Sequence, residues 1–376
     1  MVEIREVKNK KDIKSFIELP LNMYKGNEFF VPPLYSSEKV IFKKKNPYTS
    51  SSETSFFLAY KDGKLVGRIS GIIQLDANKK WNRKRVRFTR FDSINDQEVA
   101  DALFNAVEKW AKEKGMTEIC GPLGYNDLER EGLLIEGFEK LATFEEQYNF
   151  DYYEKLVENH GFKTEVEWIE KEVRLPKDPN EIEKVRRLSD LVMRKYKLSY
   201  VKTKNVRDFI KKYRHAFFKL LEDTYAHLYG TCPIRKEVED DILTGFKLLL
   251  KKDNVIGVID EKGELVAYGL CLPSIAKAVQ PSGGRLTPAC ICRILKSRKK
   301  PNILDFAVIG VREDYRNCAV PAMLLAKGFN VFEKTKCDHF ETNLQLTTNL
   351  NIITLFDRFD TILHKRRRSY LKSIEK

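Results

Sequence analysis

Apolar residues recur along this chain with two periods, one suited to strands and one to helices, and the same succession of periods occurs twice. The run Phe56-Phe57-Leu58-Ala59-Tyr60, the turn Lys61-Asp62-Gly63-Lys64 and the run Leu65-Val66-Gly67-Arg68-Ile69 predict two strands joined by a tight Asp-Gly turn. Far downstream, Ile256-Gly257-Val258-Ile259, Asp260-Glu261-Lys262-Gly263-Glu264 and Leu265-Val266-Ala267-Tyr268-Gly269 repeat the arrangement. Each hairpin precedes a strand and a long helix. In the first half these are 86–94 and 96–114, with Val99, Leu103, Val107 and Trp110 spaced to form one buried face. In the second they are 303–311 and 320–334, with Val320, Leu324, Ala326, Phe329 and Phe332 as the matching face. Each half then adds a strand (118–121; 340–344), a shorter helix ending near Gly161 or Phe359, and a final strand.

A hairpin meander that passes into alternating strands and helices predicts an α/β (α+β mixed sheet) unit, present twice. The prolines of Leu175-Pro176-Lys177-Asp178-Pro179 mark a linker, giving an N-terminal domain of 1–176 and a C-terminal domain of 177–376. The length of 376 residues suits two domains, and 42% hydrophobic residues exclude a disordered chain. Seven scattered cysteines read as reduced thiols, and the spacing of Cys290 and Cys292 does not suit zinc, so no metal site is expected. A charged N-terminus and the lack of a long apolar run predict a cytoplasmic protein with no membrane span. The net charge of +14 divides unevenly: 29 Lys/Arg face 30 Asp/Glu before Lys177, and 39 face 24 from there on.

Ligands of such sheets bind where a strand ends and a helix begins, because the helix N-terminus offers unpaired N–H groups and a positive dipole end. In the first half, Asn95 reads as an N-cap with Glu98 three residues on, and Asp96 adds a further carboxylate that would repel an anion. The second-half turn, Val311-Arg312-Glu313-Asp314-Tyr315-Arg316-Asn317-Cys318-Ala319-Val320-Pro321-Ala322, has no carboxylate after Asp314 and could hold a pyrophosphate.

This turn resembles the Val-x-x-x-x-Arg-x-x-Gly-x-Gly/Ala loop of the GNAT acyl-CoA N-acyltransferase superfamily, with Ala319 and Pro321 in the glycine positions. Further segments of similar character are Phe30-Val31-Pro32-Pro33-Leu34, Gly121-Pro122-Leu123, Gly284-Arg285-Leu286-Thr287-Pro288 and Arg368-Ser369-Tyr370, so the whole chain is similar to bacterial proteins with two tandem GNAT-like domains. The resemblance implies an acyl-CoA-dependent N-acetyltransferase, with acetyl-CoA as co-substrate and a small-molecule or peptide amine as acceptor. It implies a phosphate grip by Arg316 and the backbone of Asn317, Cys318, Ala319, Val320 and Ala322. It also implies pantetheine pairing along 307–311, including Ile309 and Val311, and a further contact from Asn349. A base and an acid are needed to move protons from amine and to thiolate; Asp305 and Tyr370 are the candidates. Pro321 cannot donate an N–H, and Phe356 stands near the position of a tyrosine found in many relatives.

Residues 273–300, rich in Lys and Arg, are expected to form a lid over the cofactor's phosphates or over the acceptor. Two other functions fit the charge. One is a tandem-GNAT transferase using aminoacyl-tRNA, with Lys296 to Lys300 and Lys365-Arg366-Arg367-Arg368 tracking RNA; the other is a non-catalytic module binding nucleic acid or an anion.

Overall fold

The computed structural model describes residues 1–144, 146–356 and 359–374, and its strands join in one mixed sheet. The first half supplies β1 (Val2–Glu6), β2 (Ser52–Lys61), β3 (Lys64–Gln74), β4 (Arg85–Ser93), β5 (Glu118–Gly121), β6 (Leu133–Glu136) and β7 (Lys163–Arg174). The second supplies β8 (Ser199–Tyr200), β9 (Val255–Ile259), β10 (Leu265–Pro273), β11 (Ile303–Val311), β12 (His339–Thr342), β13 (Gln345–Leu346) and β14 (Asp360–Ser373). Both expected hairpins form, β2 with β3 and β9 with β10.

The helix Gln97–Glu113 buries Val99, Leu103 and Val107 against β2 and β3, while Trp110 is only partly covered. Its partner in the second half, Pro321–Thr335, is buried on two sides: Met323 and Leu324 face the sheet, and Leu325 and Phe329 pack with Val185 of the helix Pro179–Lys195. That second layer explains why its apolar positions outnumber one face. The linker is short, because Asp178 already caps the helix that starts at Pro179.

The order across the sheet is β1-β2-β3-β4-β5-β14-β7-β12-β11-β10-β9-β8. The final strand therefore lies inside the first half's sheet, between β5 and β7, and β7 in turn borders β12 of the second half. Along β14, Lys365 pairs in register with Glu170 and Arg367 with Trp168.

This placement changes the meaning of the basic run at 365–368. Lys365 and Arg367 are fully buried, with Lys365 Nζ 3.0 Å from Glu170 Oε2 and Arg367 Nε 2.6 Å from Glu170 Oε1. Arg366 faces Glu136 at 3.1 Å, and Arg368 pairs with Glu167 and Glu154. The 365–368 part of the expected RNA-tracking surface is thus engaged in ion pairs within the protein.

Of the two placements expected for residues 273–300, the one over the phosphates is not seen. These residues form the helices Ala276–Val279 and Pro288–Lys299 and bind the first half rather than the phosphate turn. Arg285 reaches Glu18 at 2.7 Å and stacks on Tyr35, and Gln280 donates to the carbonyls of Glu28 and Phe30. Gly284 adopts φ +74° directly against the Pro33 carbonyl, where any Cβ would collide. The segment is a strap between halves. Among the described residues no helix is long and apolar enough to cross a membrane.

Two outcomes are expected. Residues 1–176 expressed alone should lack a cooperative unfolding transition by circular dichroism, because β5 and β7 lose the strand between them. Glu170→Ala should destabilise the full chain by about 3–5 kcal/mol in denaturant titrations, since it strands two buried cations. Burial opposes ionisation of Glu170, but Lys365 and Arg367 outweigh it and hold the carboxyl at about 2, below its ordinary 4.5. A depressed pKa contributes stability above the unfolded value, so this contribution should be lost as pH falls from 4.5 through about 2.

Candidate functional site

In the second half, β11 and β12 run parallel only over Ile303–Phe306 and His339–Thr342, and then part. The next piece, β13, turns to the other side and pairs with β7 at Ile169 and Trp168. The gap opens into a cavity of about 1100 Å³ lined by both halves. Its second-half wall is residues 305–311 of β11; Arg316, Asn317 and Pro321 stand at one end, and Asn349 and Phe356 lie across the gap. The helices Val206–Tyr225 and Lys236–Phe246, which the sequence reading did not foresee, cover the cavity with Phe218, Leu221 and Phe246.

The phosphate-type turn is a 3-10 segment, Glu313–Cys318, followed by Ala319 at φ +55° and the helix Pro321–Thr335. Ala319 thus adopts the left-handed conformation that a glycine would take more easily. The helix start carries no side-chain cap, while the N–H groups of Ala322 and Met323 bond back to Ala319 and Val320. Arg312 is committed to Asp314 at 2.8 Å and Glu264 at 3.2 Å; Arg316 is exposed, with no carboxylate partner among the described residues. The free guanidinium fits a phosphate, whereas the helix start offers little, because Pro321 has no N–H and the next two are bonded within the turn.

Of the residues expected to hold cofactor, Ile309, Val311, Arg316, Asn317 and Asn349 line the cavity. Cys318, Ala319, Val320 and Ala322 do not, and Val320 and Ala322 point into the core beneath the helix. The Asn349 side chain makes no capping bond to the helix Leu350–Leu355 that it precedes. At Ile309 the strand edge is occupied: the Tyr225 hydroxyl accepts from Ile309 N–H at 3.4 Å and donates to its carbonyl at 3.3 Å. Asn343 likewise donates to the Ala307 carbonyl at 3.2 Å.

The first half shows what a closed version looks like. Strands β4 and β5 pair over Arg85–Arg87 and Glu118–Cys120 and then part in the same way. Aromatic side chains fill that gap, and Ser93 is bonded by Tyr153 at its N–H, 3.1 Å, and by Tyr152 at its carbonyl, 2.9 Å. Its helix start is capped by Asp96 rather than Asn95, and Lys61 joins Asp96 at 2.5 Å and Glu98 at 2.9 Å. No anion site remains there.

Asp305 lines the cavity where β11 and β12 begin to part, level with Leu272 and Glu341. Tyr370 requires correction. Because β14 inserts between β5 and β7, Tyr370 is fully buried in the first half's core, with its hydroxyl 3.1 Å from Glu154, and it does not line the cavity. A tyrosine hydroxyl that does bond β11 is that of Tyr225.

The first half's share of the wall is charged. Arg68 meets Asp92 at 2.7 Å and Arg90 meets Glu38 at 3.0 Å, both buried pairs. Beside them stand Asp127, Glu129 and Glu131, which the sequence reading passed over although three carboxylates at alternate positions stand between Gly121 and Gly132. Burial pushes Asp127 up to about 6. Glu131 is raised well above the carboxylate range by burial and then by the charge of Asp127. Glu172, Asp338 and His339 also come close to one another, but Arg174 already bridges both carboxylates, at 2.6 and 2.8 Å.

Over 380 aligned residues the chain is 27% identical to Protein YghO of Escherichia coli K12, covering 99% of this chain and 95% of that protein. It is 22% identical to a bacterial ceramide synthase of Caulobacter vibrioides, covering 98% and 96%. No family model matches. Among solved structures, a tandem GNAT protein from the clavulanic acid biosynthesis pathway superposes with a TM-score of 0.58 at 10% identity, covering 100% of this chain and 99% of that one. Splayed strands, a helix start at the splay and the two-fold repeat define a chain with the GNAT fold, in its tandem form.

Ala319→Gly should raise stability by about 0.5–1 kcal/mol in denaturant titrations, because relief of the left-handed alanine exceeds the added freedom of the unfolded chain.

Proposed function

We propose that this protein transfers an acyl group from an acyl-CoA to an amine acceptor, in the cavity between its halves. The observation that carries this reading is the continuity of that cavity, which runs from Arg316 and Asn317 along β11 to the first half's carboxylates. The thioester supplies the activated acyl group. Arg316 and Asn317 would hold the pyrophosphate, and Asn349 would contact the same cofactor. The amine attacks the thioester carbonyl, the C–S bond breaks, and amide and thiol form as one proton leaves.

That proton needs a base titrating near neutrality. Asp127 meets the requirement; Asp305, on β11 itself, is the other carboxylate that could serve. Tyr225 is the hydroxyl beside the strand that could return a proton to sulfur. A volume of about 1100 Å³ exceeds what an acetyl group needs and suits a long acyl chain. The wall agrees, with Leu249, Leu270, Leu272, Ile275 and Ile294 grouped on one side. The name of the Caulobacter relative points the same way, since ceramides are fatty amides.

Titration with acetyl-CoA and palmitoyl-CoA tests the donor. Tight binding of the longer thioester, weakened about tenfold or more in Arg316→Ala, is expected; no binding of either at millimolar ligand would end the proposal. Turnover should rise with pH through about 6 as Asp127 loses its proton. Asp127→Asn should lower kcat by about 10²–10⁴-fold. A larger loss in Asp305→Asn would transfer the base role to that residue.

A further inference from the structure

Buried carboxylates in this chain are matched to cations: Glu170 to Lys365 and Arg367, Asp92 to Arg68, Glu38 to Arg90, and Glu108 to Lys372. Among the described residues Glu131 lacks such a match. It is 4% exposed, lines the cavity, and its Oε1 is enclosed without any hydrogen-bond partner. The nearest cation by its influence is Arg87, whose guanidinium is already spent on the carbonyls of Gly124 and Gly230. A carboxylate removed from water without a partner is costly, and natural chains keep few of them outside functional sites.

Its surroundings specify what is missing. Glu129, two residues earlier, is occupied with the Tyr125 N–H at 2.9 Å, so it is not the group waiting for a ligand. The charge of Asp127 bears on both Glu131 and the Tyr225 hydroxyl, and Tyr225 in turn touches Ile309. Glu131, Asp127 and Tyr225 line the same cavity as the strand along which the thioester is read to lie. The cavity continues from there into an apolar chamber formed by both halves.

We propose that Glu131 is the anchor for the acceptor: its carboxylate receives the ammonium of a primary amine carried on an apolar chain, next to Asp127. The assignment rests on the acyl-transfer reading for its meaning, and on the unpartnered, enclosed carboxylate for its place. It gives the first half, which has no anion site, the acceptor wall of a shared site. Glu131 binds the cation, and the proton that the ammonium gives up before attack passes to the carboxyl pair that Glu131 forms with Asp127.

The test is calorimetric titration of the full chain with dodecylamine and with 1-dodecanol, which share a tail and differ in the head. Wild type should bind the amine about tenfold or more tightly than the alcohol. Glu131→Gln should abolish that preference while keeping affinity for the alcohol. Glu129→Gln should retain the preference. Equal binding of the two ligands by wild type, or an undiminished preference in Glu131→Gln, would overturn the assignment. If the preference depends on Glu131 but no acyl-CoA binds, the ammonium site stands and the acyl-transfer reading falls. If acyl-CoA binds and is turned over while the preference ignores Glu131, the reading stands and this site falls.

Discussion

A carboxylate taken out of water is tolerated only beside cations, and Glu170 lies where strands from the two halves of the chain run side by side. Its two oxygens are divided between Lys365 and Arg367, both from β14. A shift of β14 by one residue would leave all three charges buried and unpaired, so the trio fixes register more firmly than apolar contacts would. Around it, Glu341 gathers His364 at 2.8 Å and Lys365 at 3.7 Å, which ties β12 into the same group. The position of the sheet's centre, and of the cavity beside it, follows from this arrangement.

The two halves have diverged from one plan in a way that divides labour. Each has a pair of strands that start parallel and part. In the first half the opening is filled by Phe and Tyr rings, which makes it a solid support; in the second only Tyr225 and Asn343 touch the strand edge, at hydrogen-bond lengths longer than those at Ser93. A filled splay can carry a precisely held wall of charged side chains, and an open one can admit a ligand. The strap at 273–300 holds the two in fixed relation through Arg285, Gln280 and Gly284.

Much of the fold was legible because it is local. The hairpins, the strand Ile303–Val311 and the helix Gln97–Glu113 follow from apolar spacing and an Asp-Gly turn. The sharing of β7 and β14 was not, because strand pairing over 195 residues leaves no local trace, and a run of four bases ordinarily reads as wetted surface. The same error displaced Tyr370, whose place depends on which sheet its strand joins. That Asp305, Ile309, Val311, Arg316, Asn317 and Asn349 line one cavity was legible because they sit on one strand-turn-helix unit or its neighbour. Asp127 and Glu131 come from the other half, in a loop whose importance appears only when the halves are assembled.

The shared sheet also orders events in time. The strand Asp360–Ser373 is the last part of the described chain to be synthesised, yet it fills a slot among strands made before residue 175. Until it arrives, β5 and β7 present open edges, which are templates for pairing with other chains. A nascent or prematurely ended product is therefore exposed to association with its copies. Emergence of β14, rather than completion of the first half, is the step that removes that hazard.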